Sequence, residues 1–306
     1  MEIARLATWA MGSRFEVVVA GSDGRHLRAA GESALEEIEE QDLRLSLFRR
    51  DSLLSRINAR AAARPVRLDP DLHDLLETCR EVHAASEGAF DVTVAPLMRE
   101  WGFHPRDAAA TEAPLGMEGV HLDPADASVR FDRSGLALDL GAIGKGHALD
   151  LAADRLREAG IDRAFLHGGT SAVVAIGAPP GRTGWRVRIR SGTRAPDLVA
   201  TLRDRSLCVS APRGRTVERD GSTLGHVLDP RNRRPARGTA TVAVLAPSAR
   251  LADAWSTALL VLGRRPIGAP DRLTSAILAE GGTTWRIEGP ESSEIETCRS
   301  REERVA

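Results

Sequence analysis

Residues 138–150 constrain the fold of this chain more than any other segment. They read Leu-Asp-Leu-Gly-Ala-Ile-Gly-Lys-Gly-His-Ala-Leu-Asp, in which a short β-type run, 136–140, meets three glycines before an apolar helical pattern that continues to Gly160. Glycines let the backbone approach a bulky or charged group, and a helix start offers unpaired N–H donors at the positive end of its dipole. This strand-to-helix junction suits a phosphate. Its glycine spacing fits neither the P-loop nor the G-x-G-x-x-G pattern.

The junction also holds the one lysine of the chain, Lys145, among 42 lysine and arginine residues. Lysine offers a compact ammonium on a flexible stem, whereas arginine offers a planar, rigid fork of donors. A chain that uses arginine at every other cationic position and an ammonium beside a glycine-rich helix start indicates a specific role for that ammonium. The alternative is an incidental lysine on a solvated helix turn.

Composition bounds the classes of protein to which this chain can belong. Its 306 residues, 42% of them hydrophobic, are enough to bury a substantial core as one large domain or as two intimate lobes. The net charge is −1, so nucleic acid is not indicated as a partner. Cys79, Cys208 and Cys298 are scattered without metal-type spacing, which argues against a disulfide framework and a zinc site and favours a reducing compartment.

The N-terminal segment and the hydropathy of the chain predict a cytoplasmic protein. The segment 1–12 carries the acidic Glu2 and lacks an uninterrupted apolar run, so it does not read as a secretory signal, and no lipobox is visible. A membrane helix needs about 18 consecutive apolar residues, and the sequence contains no such run. We therefore expect no membrane span.

Local patterns predict strands and helices that alternate irregularly, which favours an α+β fold over a doubly wound parallel sheet. Strands are predicted at 14–20, 136–140, 164–169, 172–177, 185–190, 200–202, 207–210 and 239–246. Helices are predicted at 26–45, after Asp51 or Ser52, from Asp69-Pro70 to Gly88, from the junction to Gly160, and from Pro247-Ser248 to Gly263. Residues 104–118 are predicted to form an irregular insertion. We expect a single domain over residues 1–290 and a charged, frayed tail over 291–306.

A carboxylate and a hydroxyl share one face of the last predicted helix. Asp253 and Thr257 are four residues apart, among otherwise apolar residues. Together they can supply oxygen ligands to Mg²⁺, which takes few protein ligands and prefers phosphate oxygens beside them. An equally good interpretation is a capping aspartate and a threonine that bonds its own helix backbone.

A histidine in a β-type segment is the candidate base. His226 stands three residues before Asp229, and a histidine with a nearby carboxylate suits removal of a hydroxyl proton. A hydrogen-bonded structural histidine at a strand end is at least as consistent with the spacing.

Several short motifs occur in a fixed order between residues 11 and 263. They are Met11-Gly12-Ser13, Asp51-Ser52 with Asn58, the run from Glu87 to Thr93, Pro96-Leu97, Trp101-Gly102-Phe103, the junction, Gly168-Gly169, the run from His226 to Pro230, and the run from Ala252 to Ala258. As an ordered set they resemble the FAD:protein FMN transferase family, also called the ApbE family. Each motif alone is weak, but the order of the set is specific.

The resemblance implies a fold and an activity. The fold would be an ApbE-like α+β fold with mixed or antiparallel sheets, flanking helices and two intimate lobes around an FAD cleft. The activity would be Mg²⁺-dependent transfer of the FMN half of FAD onto a threonine or serine hydroxyl of a target flavoprotein, with AMP released. FAD and the acceptor flavoprotein are then the expected partners.

The resemblance also implies site residues, position by position. FAD contacts would come from Met11, Phe48, Ala89, Phe90, Asp91, Asp139, Lys145 and Leu228. The metal would be held by Asp253, Thr257 and the backbone carbonyl of Ala142, with Ser256 adjacent. His226 would be the catalytic base.

The chain departs from the family pattern at three places. It has no tyrosine, and Phe48 occupies the position where members often carry a tyrosine on the flavin ring. Thr170 follows the paired glycines in place of an acidic residue, and Ser210-Ala211-Pro212 replaces a Ser-Gly turn. Two alternatives to the transferase stay open: an FAD pyrophosphatase that forms FMN and AMP, and a non-catalytic FAD-binding protein.

Overall fold

The computed structural model describes residues 1–105, 114–212, 214–219 and 221–298, and within these ranges the chain forms the expected α+β fold. The helices are α1 (Gly24–Leu45), α2 (Leu53–Arg60), α3 (Pro70–Ala85), α4 (Ala95–Glu100), α5 (Gly144–Glu158) and α6 (Ala249–Leu262). The strands are β1 (Glu2–Ala10), β2 (Ser13–Gly21), β3 (Val66–Arg67), β4 (Val120–Asp123), β5 (Ser128–Phe131), β6 (Ala164–Gly168), β7 (Ala172–Ile176), β8 (Trp185–Ile189), β9 (Leu198–Leu202), β10 (Arg205–Ser210), β11 (Thr216–Arg219), β12 (Ser222–Gly225), β13 (Leu228–Asp229), β14 (Arg234–Pro235), β15 (Thr239–Ala246), β16 (Thr274–Ala279), β17 (Arg286–Glu288) and β18 (Ile295–Thr297).

An antiparallel sheet of eight strands organises the chain, in the order β1-β2-β6-β7-β10-β15-β16-β17. Its first hairpin turns at Met11 and Gly12, whose φ angles of 49° and 67° are both positive, between the paired residues Ala10 and Ser13. Two positive φ values are typical of the tight turns whose twist matches that of the flanking strands. The hairpin therefore fixes the position of Met11 in the turn that joins β1 to β2.

The two faces of this sheet are covered differently. Helices α1, α5 and α6 pack on one face and bury the larger apolar core, which includes Phe15, Leu149 and Trp255. The three-stranded antiparallel sheet β18-β9-β8 covers part of the other face and buries a second core around Leu207 and Leu245. The first turn of α6 lies against β10, where the Cys208 thiol donates to the Ala249 carbonyl (3.6 Å).

The helix boundaries follow the capping signals of the sequence. The Asp69 side chain accepts a hydrogen bond from the Leu72 N–H (3.0 Å) at the start of α3. Ser248 caps α6, and Gly263 ends it in the left-handed conformation with a φ of 67°. The predicted helices at these positions are confirmed.

The predicted strand at 136–140 is wrong. In this segment Ala137 makes a parallel bridge to Val94, but no strand forms. The backbone groups of Leu138 are paired with the side chain of Asn58, and the Asp139 N–H donates to the Val92 carbonyl, so no ladder is available.

Two other predictions concern segments that the structure describes only in part. Residues 106–113 of the predicted insertion lie outside them, and Met117–Gly119 form a 3₁₀ turn. Ile295–Thr297 fall within the segment predicted to be frayed but instead pair with β9, while 299–306 lie outside the described residues. The division into two lobes stays a prediction.

No helix among the described residues has the length and apolar character needed to cross a membrane.

The N-termini of α5 and α6 meet and cap each other. The Gly146 N–H of α5 donates to Asp253 Oδ2 on α6 (3.0 Å). In return, Asp150 of α5 accepts from the Ala249 N–H through Oδ1 (2.7 Å) and from the Arg250 N–H through Oδ2 (2.9 Å). Each helix thus satisfies first-turn donors of the other with a carboxylate.

This contact requires glycine at position 146. A Cβ added to Gly146 would lie 2.3 Å from the Ala249 carbonyl oxygen, whereas a Cβ on Gly144, two residues earlier in the same helix, would meet nothing within 4 Å. The two positions therefore form a matched pair.

We expect Gly146→Ala to lower the free energy of unfolding by about 1–3 kcal/mol or more, because the two helix backbones must separate. Gly144→Ala should leave stability unchanged or raise it by up to about 1 kcal/mol, because alanine favours the helix. Urea denaturation of the two variants measures the difference. Equal stability of both would contradict the close helix contact.

Candidate functional site

The Asp139 segment is held by two neighbouring elements. The Asn58 side chain, on α2, donates to the Leu138 carbonyl (2.9 Å) and accepts from the Leu138 N–H (2.8 Å). The Asp139 N–H donates to the Val92 carbonyl (2.7 Å), in the loop that follows α3. The junction thus has a fixed backbone on which Asp139 is presented.

Asp139 is held as a carboxylate. Its Oδ1 accepts from the Gly141 N–H (2.8 Å), and its Oδ2 lies 2.7 Å from His104 Nε2. Burial raises the pKa of Asp139, but the His104 hydrogen bond and charge, the Gly141 N–H and the Arg215 charge together bring this pKa below its ordinary value. The carboxylate is therefore ionised at neutral pH.

Asp253 is a buried carboxylate with one oxygen available. It is only 5% exposed, and its Oδ2 accepts from the Gly146 N–H. Burial raises its pKa above the ordinary value, while the Lys145 charge and the Gly146 N–H oppose that rise. Its other oxygen, Oδ1, receives no hydrogen bond from the part of the chain that the structure describes.

Three hydroxyls lie together on α6 and the end of β10. Ser210 Oγ is 2.7 Å from Ser256 Oγ and 3.4 Å from Thr257 Oγ1. Ser256 Oγ also donates to the Asp253 carbonyl (2.9 Å), so it is held by its own helix. Ser210 was not predicted as a site residue, because its sequence signal, a serine at a strand end, is common.

The described residues do not gather three or more His, Cys, Asp or Glu side chains into a metal-type cluster. A metal at Asp253 would therefore draw its other ligands from hydroxyl and carbonyl oxygens. The half-buried Ala142 carbonyl in the turn before α5 and the Thr257 hydroxyl are of that kind. Oxygen donors of this mixed type fit Mg²⁺ better than softer metals.

His226 lies in the loop between β12 and β13. Its backbone N–H donates to the Arg215 carbonyl (3.0 Å), and its ring Nδ1 accepts from the Arg215 backbone N–H (3.3 Å). The ring is edge-on to Phe103, with centroids 6.5 Å apart. Burial lowers the pKa of His226, as do the charges of Arg215 and Lys145, while the Arg215 backbone hydrogen bond and the charge of Asp139 oppose them.

Asp229 is not a partner of His226. Arg231 donates to both carboxylate oxygens of Asp229 (2.8 Å each), and Asn232 Nδ2 donates to Oδ2 (3.1 Å). The carboxylate whose charge raises the pKa of His226 is Asp139 instead. The three-residue spacing in the sequence is therefore a feature of the turn at Pro230.

Lys145 links the separate parts of the site. Its side chain is half-buried in the first turn of α5. Its charge acts on the ionisation of both His226 and Asp253. The contact of Lys145 with FAD stays a prediction.

The remaining predicted FAD contacts lie on several other loops of the fold. Ala89 and Phe90 are buried in the loop after α3, and Asp91 accepts from the Thr93 N–H (2.7 Å) and hydroxyl (2.6 Å). Burial raises the pKa of Asp91. The other three are placed as follows: Phe48 is 63% exposed and contacts His104, Leu228 is buried beside Phe103, and Met11 is half-buried in the first hairpin turn.

Besides Ser210, sequence reasoning missed two groups of the site, His104 and Arg215. His104 follows Trp101-Gly102-Phe103 directly and was assigned to the irregular insertion. Arg215 has no local signal that separates it from the other arginines of the chain. Both act on Asp139, and only the tertiary structure brings them to it.

Comparison with known proteins shows which family this chain resembles. The ApbE family model matches residues 11–269. The chain is 29% identical to the FAD:protein FMN transferase of Escherichia coli K12, over 94% of this chain and 84% of that protein. It is 30% identical to the FAD:protein FMN transferase of Klebsiella pneumoniae, over 90% and 82% of the two chains.

A solved structure shows the same fold. The ApbE protein of Thermotoga maritima superposes with a TM-score of 0.81 at 25% identity, covering 95% of this chain and 98% of that one. Since the family model spans most of the sequence and the fold agrees with that of a solved member, the chain belongs to the ApbE family.

Proposed function

We propose that this chain transfers the FMN moiety of FAD to a threonine or serine hydroxyl of an acceptor flavoprotein, with Mg²⁺ as the metal and AMP as the product. The hydroxyl oxygen forms a bond to the FMN phosphorus, and the bond from that phosphorus to the bridging oxygen breaks. The hydroxyl proton passes to His226, and the bridging oxygen leaves with AMP. The observation that carries the proposal is that Asp253 is held by the Gly146 N–H at the meeting point of two helix N-termini, next to Lys145 in the first turn of α5. The charge of Lys145, which acts on both Asp253 and His226, supports the same assignment.

The phosphate side of the site is built from positive groups. The N-cap residue of α5, Ile143, makes no side-chain cap, and the Gly144 and Gly146 N–H groups donate to the Leu140 carbonyl and to Asp253, so the helix contributes its dipole at the junction. Lys145 adds a mobile ammonium there, and Arg215 adds a second cation close to Asp139. These groups would bind the pyrophosphate of FAD and stabilise the charge that develops during transfer.

The metal side is built from oxygen donors. Asp253, the Thr257 hydroxyl and the Ala142 carbonyl would hold Mg²⁺, with Ser256 adjacent. A dication would offset the cost of burying the Asp253 carboxylate, whose Oδ1 receives no hydrogen bond from the described residues. When bound, the metal supplies charge neutralisation at the phosphate oxygens.

His226 would act as the base at one of its ring nitrogens. Its lowered pKa leaves the ring neutral at pH 7, in the form that accepts a proton. The Nδ1 contact with the Arg215 N–H is long, at 3.3 Å. Because Nδ1 accepts in this contact, the proton of the neutral ring lies on Nε2. Moving this proton to Nδ1 would free Nε2 as the acceptor, and losing the long Nδ1 contact costs less than breaking a normal hydrogen bond.

The reaction itself is tested by mixing the purified chain with FAD and Mg²⁺, with and without an acceptor flavoprotein that a known transferase modifies. Covalent flavin on the acceptor in amounts that match AMP supports the transferase. AMP without acceptor points instead to pyrophosphatase activity, and intact FAD in every sample overturns the proposal.

We expect His226→Ala to reduce the transfer rate by about 10²–10⁴-fold, the usual contribution of a positioned base. FAD affinity should stay close to that of the unchanged chain. The matched control is His121→Ala, at an exposed histidine on β4. Full transfer by His226→Ala would remove His226 from the reaction.

Asp253→Asn should make the initial transfer rate unresponsive to Mg²⁺, because the variant loses the one charged ligand proposed for the metal. Asp150→Asn is the matched control, since this carboxylate caps the partner helix and is not a proposed metal ligand. It should lower stability and retain the Mg²⁺ response. Titration of the rate with Mg²⁺ separates the two, and a normal response in Asp253→Asn would contradict the metal site.

The transfer rate should fall with decreasing pH through a midpoint below the ordinary histidine value. The neutral ring is the active form, and burial together with Arg215 and Lys145 lowers the pKa of His226. Arg215→Met should move this midpoint upward, because it removes a cation that disfavours the protonated ring. The pH profile of kcat/KM provides the measurement, and a midpoint above the ordinary value would be inconsistent with His226 as the base.

A further inference from the structure

His104 links two of the predicted FAD contacts. It is only 7% exposed and lies directly after Phe103. On one side its ring contacts Phe48, and on the other it bonds Asp139. His104 therefore bridges two residues, Phe48 and Asp139, that are far apart in the sequence.

Both ring nitrogens of His104 face hydrogen-bond acceptors. Its Nε2 lies 2.7 Å from Asp139 Oδ2, and its Nδ1 lies 3.1 Å from the Phe103 carbonyl oxygen. An ionised carboxylate only accepts hydrogen bonds, so His104 Nε2 donates its proton to Asp139. Because the acceptor is ionised, this bond is of the strong, charge-assisted kind.

The contact with Phe48 is oriented as well. The two ring centroids are 5.3 Å apart, and the ring planes meet at 82°. An edge-to-face pair at this distance is favoured, because the positive edge of one ring meets the negative face of the other. Since Phe48 is 63% exposed, this contact can select one orientation of a side chain that is otherwise free to move in solvent.

We propose that His104 is a positioning residue for FAD, which holds the Asp139 carboxylate and the Phe48 ring in one relative geometry so that both bind the same dinucleotide. The inference rests on the proposed function, because it takes Phe48 and Asp139 to contact FAD. His104 itself has no role in proton transfer or metal binding. Its loss should therefore weaken FAD binding and leave the chemical step close to normal.

The structure offers a matched control elsewhere in the chain. His167 lies on β6, with Nε2 3.0 Å from Glu16 Oε2 and Nδ1 3.1 Å from the Gly169 carbonyl oxygen. It has the same two kinds of partner as His104, but its side chain lies on the sheet face opposite the helices, next to Phe165. His167→Ala thus removes a comparable pair of hydrogen bonds.

Calorimetric titration with FAD, in EDTA and without acceptor, measures binding in the absence of the reaction. We expect His104→Ala to bind FAD about tenfold or more weakly than the unchanged chain, the range for loss of a charged hydrogen bond. His104→Gln, whose amide can still donate to Asp139, should recover part of the affinity. His167→Ala should bind normally. In the full assay, His104→Ala should raise KM for FAD and change kcat by less than about threefold.

A double-mutant cycle separates positioning from a merely structural role. Phe48→Leu alters an exposed side chain, so it should fold, and it should weaken FAD binding in the unchanged background. In the His104→Ala background the same substitution should cost less, because the ring is no longer oriented. Additive effects would overturn the proposal, as would normal FAD affinity in His104→Ala.

Two further outcomes keep the interpretations distinct. Absence of FAD binding by the unchanged chain would overturn the proposed function itself. Nitrogen NMR of ring-labelled histidine reports whether His104 Nε2 carries the proton that it donates to Asp139, with His104→Gln identifying the signal. A His104 Nε2 without a proton would overturn the inference, whatever the result for the reaction.

Discussion

The mutual capping of α5 and α6 is the interaction on which the site depends. Two helix N-termini in contact bring two positive dipole ends together, which is unfavourable unless negative groups lie between them. Asp253 and Asp150 supply those groups, each reaching from one helix to the first turn of the other. Gly146 allows the approach, because any larger residue would meet the Ala249 carbonyl. The position of Lys145 in the first turn of α5 is set by this contact.

The two capping carboxylates are both buried, but their oxygens are used differently. Burial raises the pKa of Asp150 to about 6, and both of its oxygens accept backbone N–H groups. The pKa of Asp253 is raised as well, yet only its Oδ2 accepts a hydrogen bond from the described residues. A saturated carboxylate completes a fold, whereas one with an available oxygen can also bind a ligand. The same structural device thus yields one aspartate that is saturated by backbone donors and one that is proposed to bind the metal.

The sequence predicts what depends on local chemistry and misses what depends on distant contacts. The caps at Asp69 and Gly263 and the helix after the junction follow from residue type and spacing. The run at 136–140 has β-type residues, but Asn58 takes the backbone groups that a strand ladder would need. His104 and Arg215 reach Asp139 from other loops, and no spacing rule connects them to it.

The charges of the site explain why metal and dinucleotide would bind together. The charge of Lys145 acts on the Asp253 carboxylate and that of Arg215 on the Asp139 carboxylate, so these four described groups nearly cancel one another. A pyrophosphate brings about two further negative charges, which the helix dipoles offset only in part, because each is equivalent to roughly half a charge. A divalent cation at Asp253 would restore the balance. Each ligand therefore lowers the electrostatic cost of binding the other, and this coupling acts in both directions.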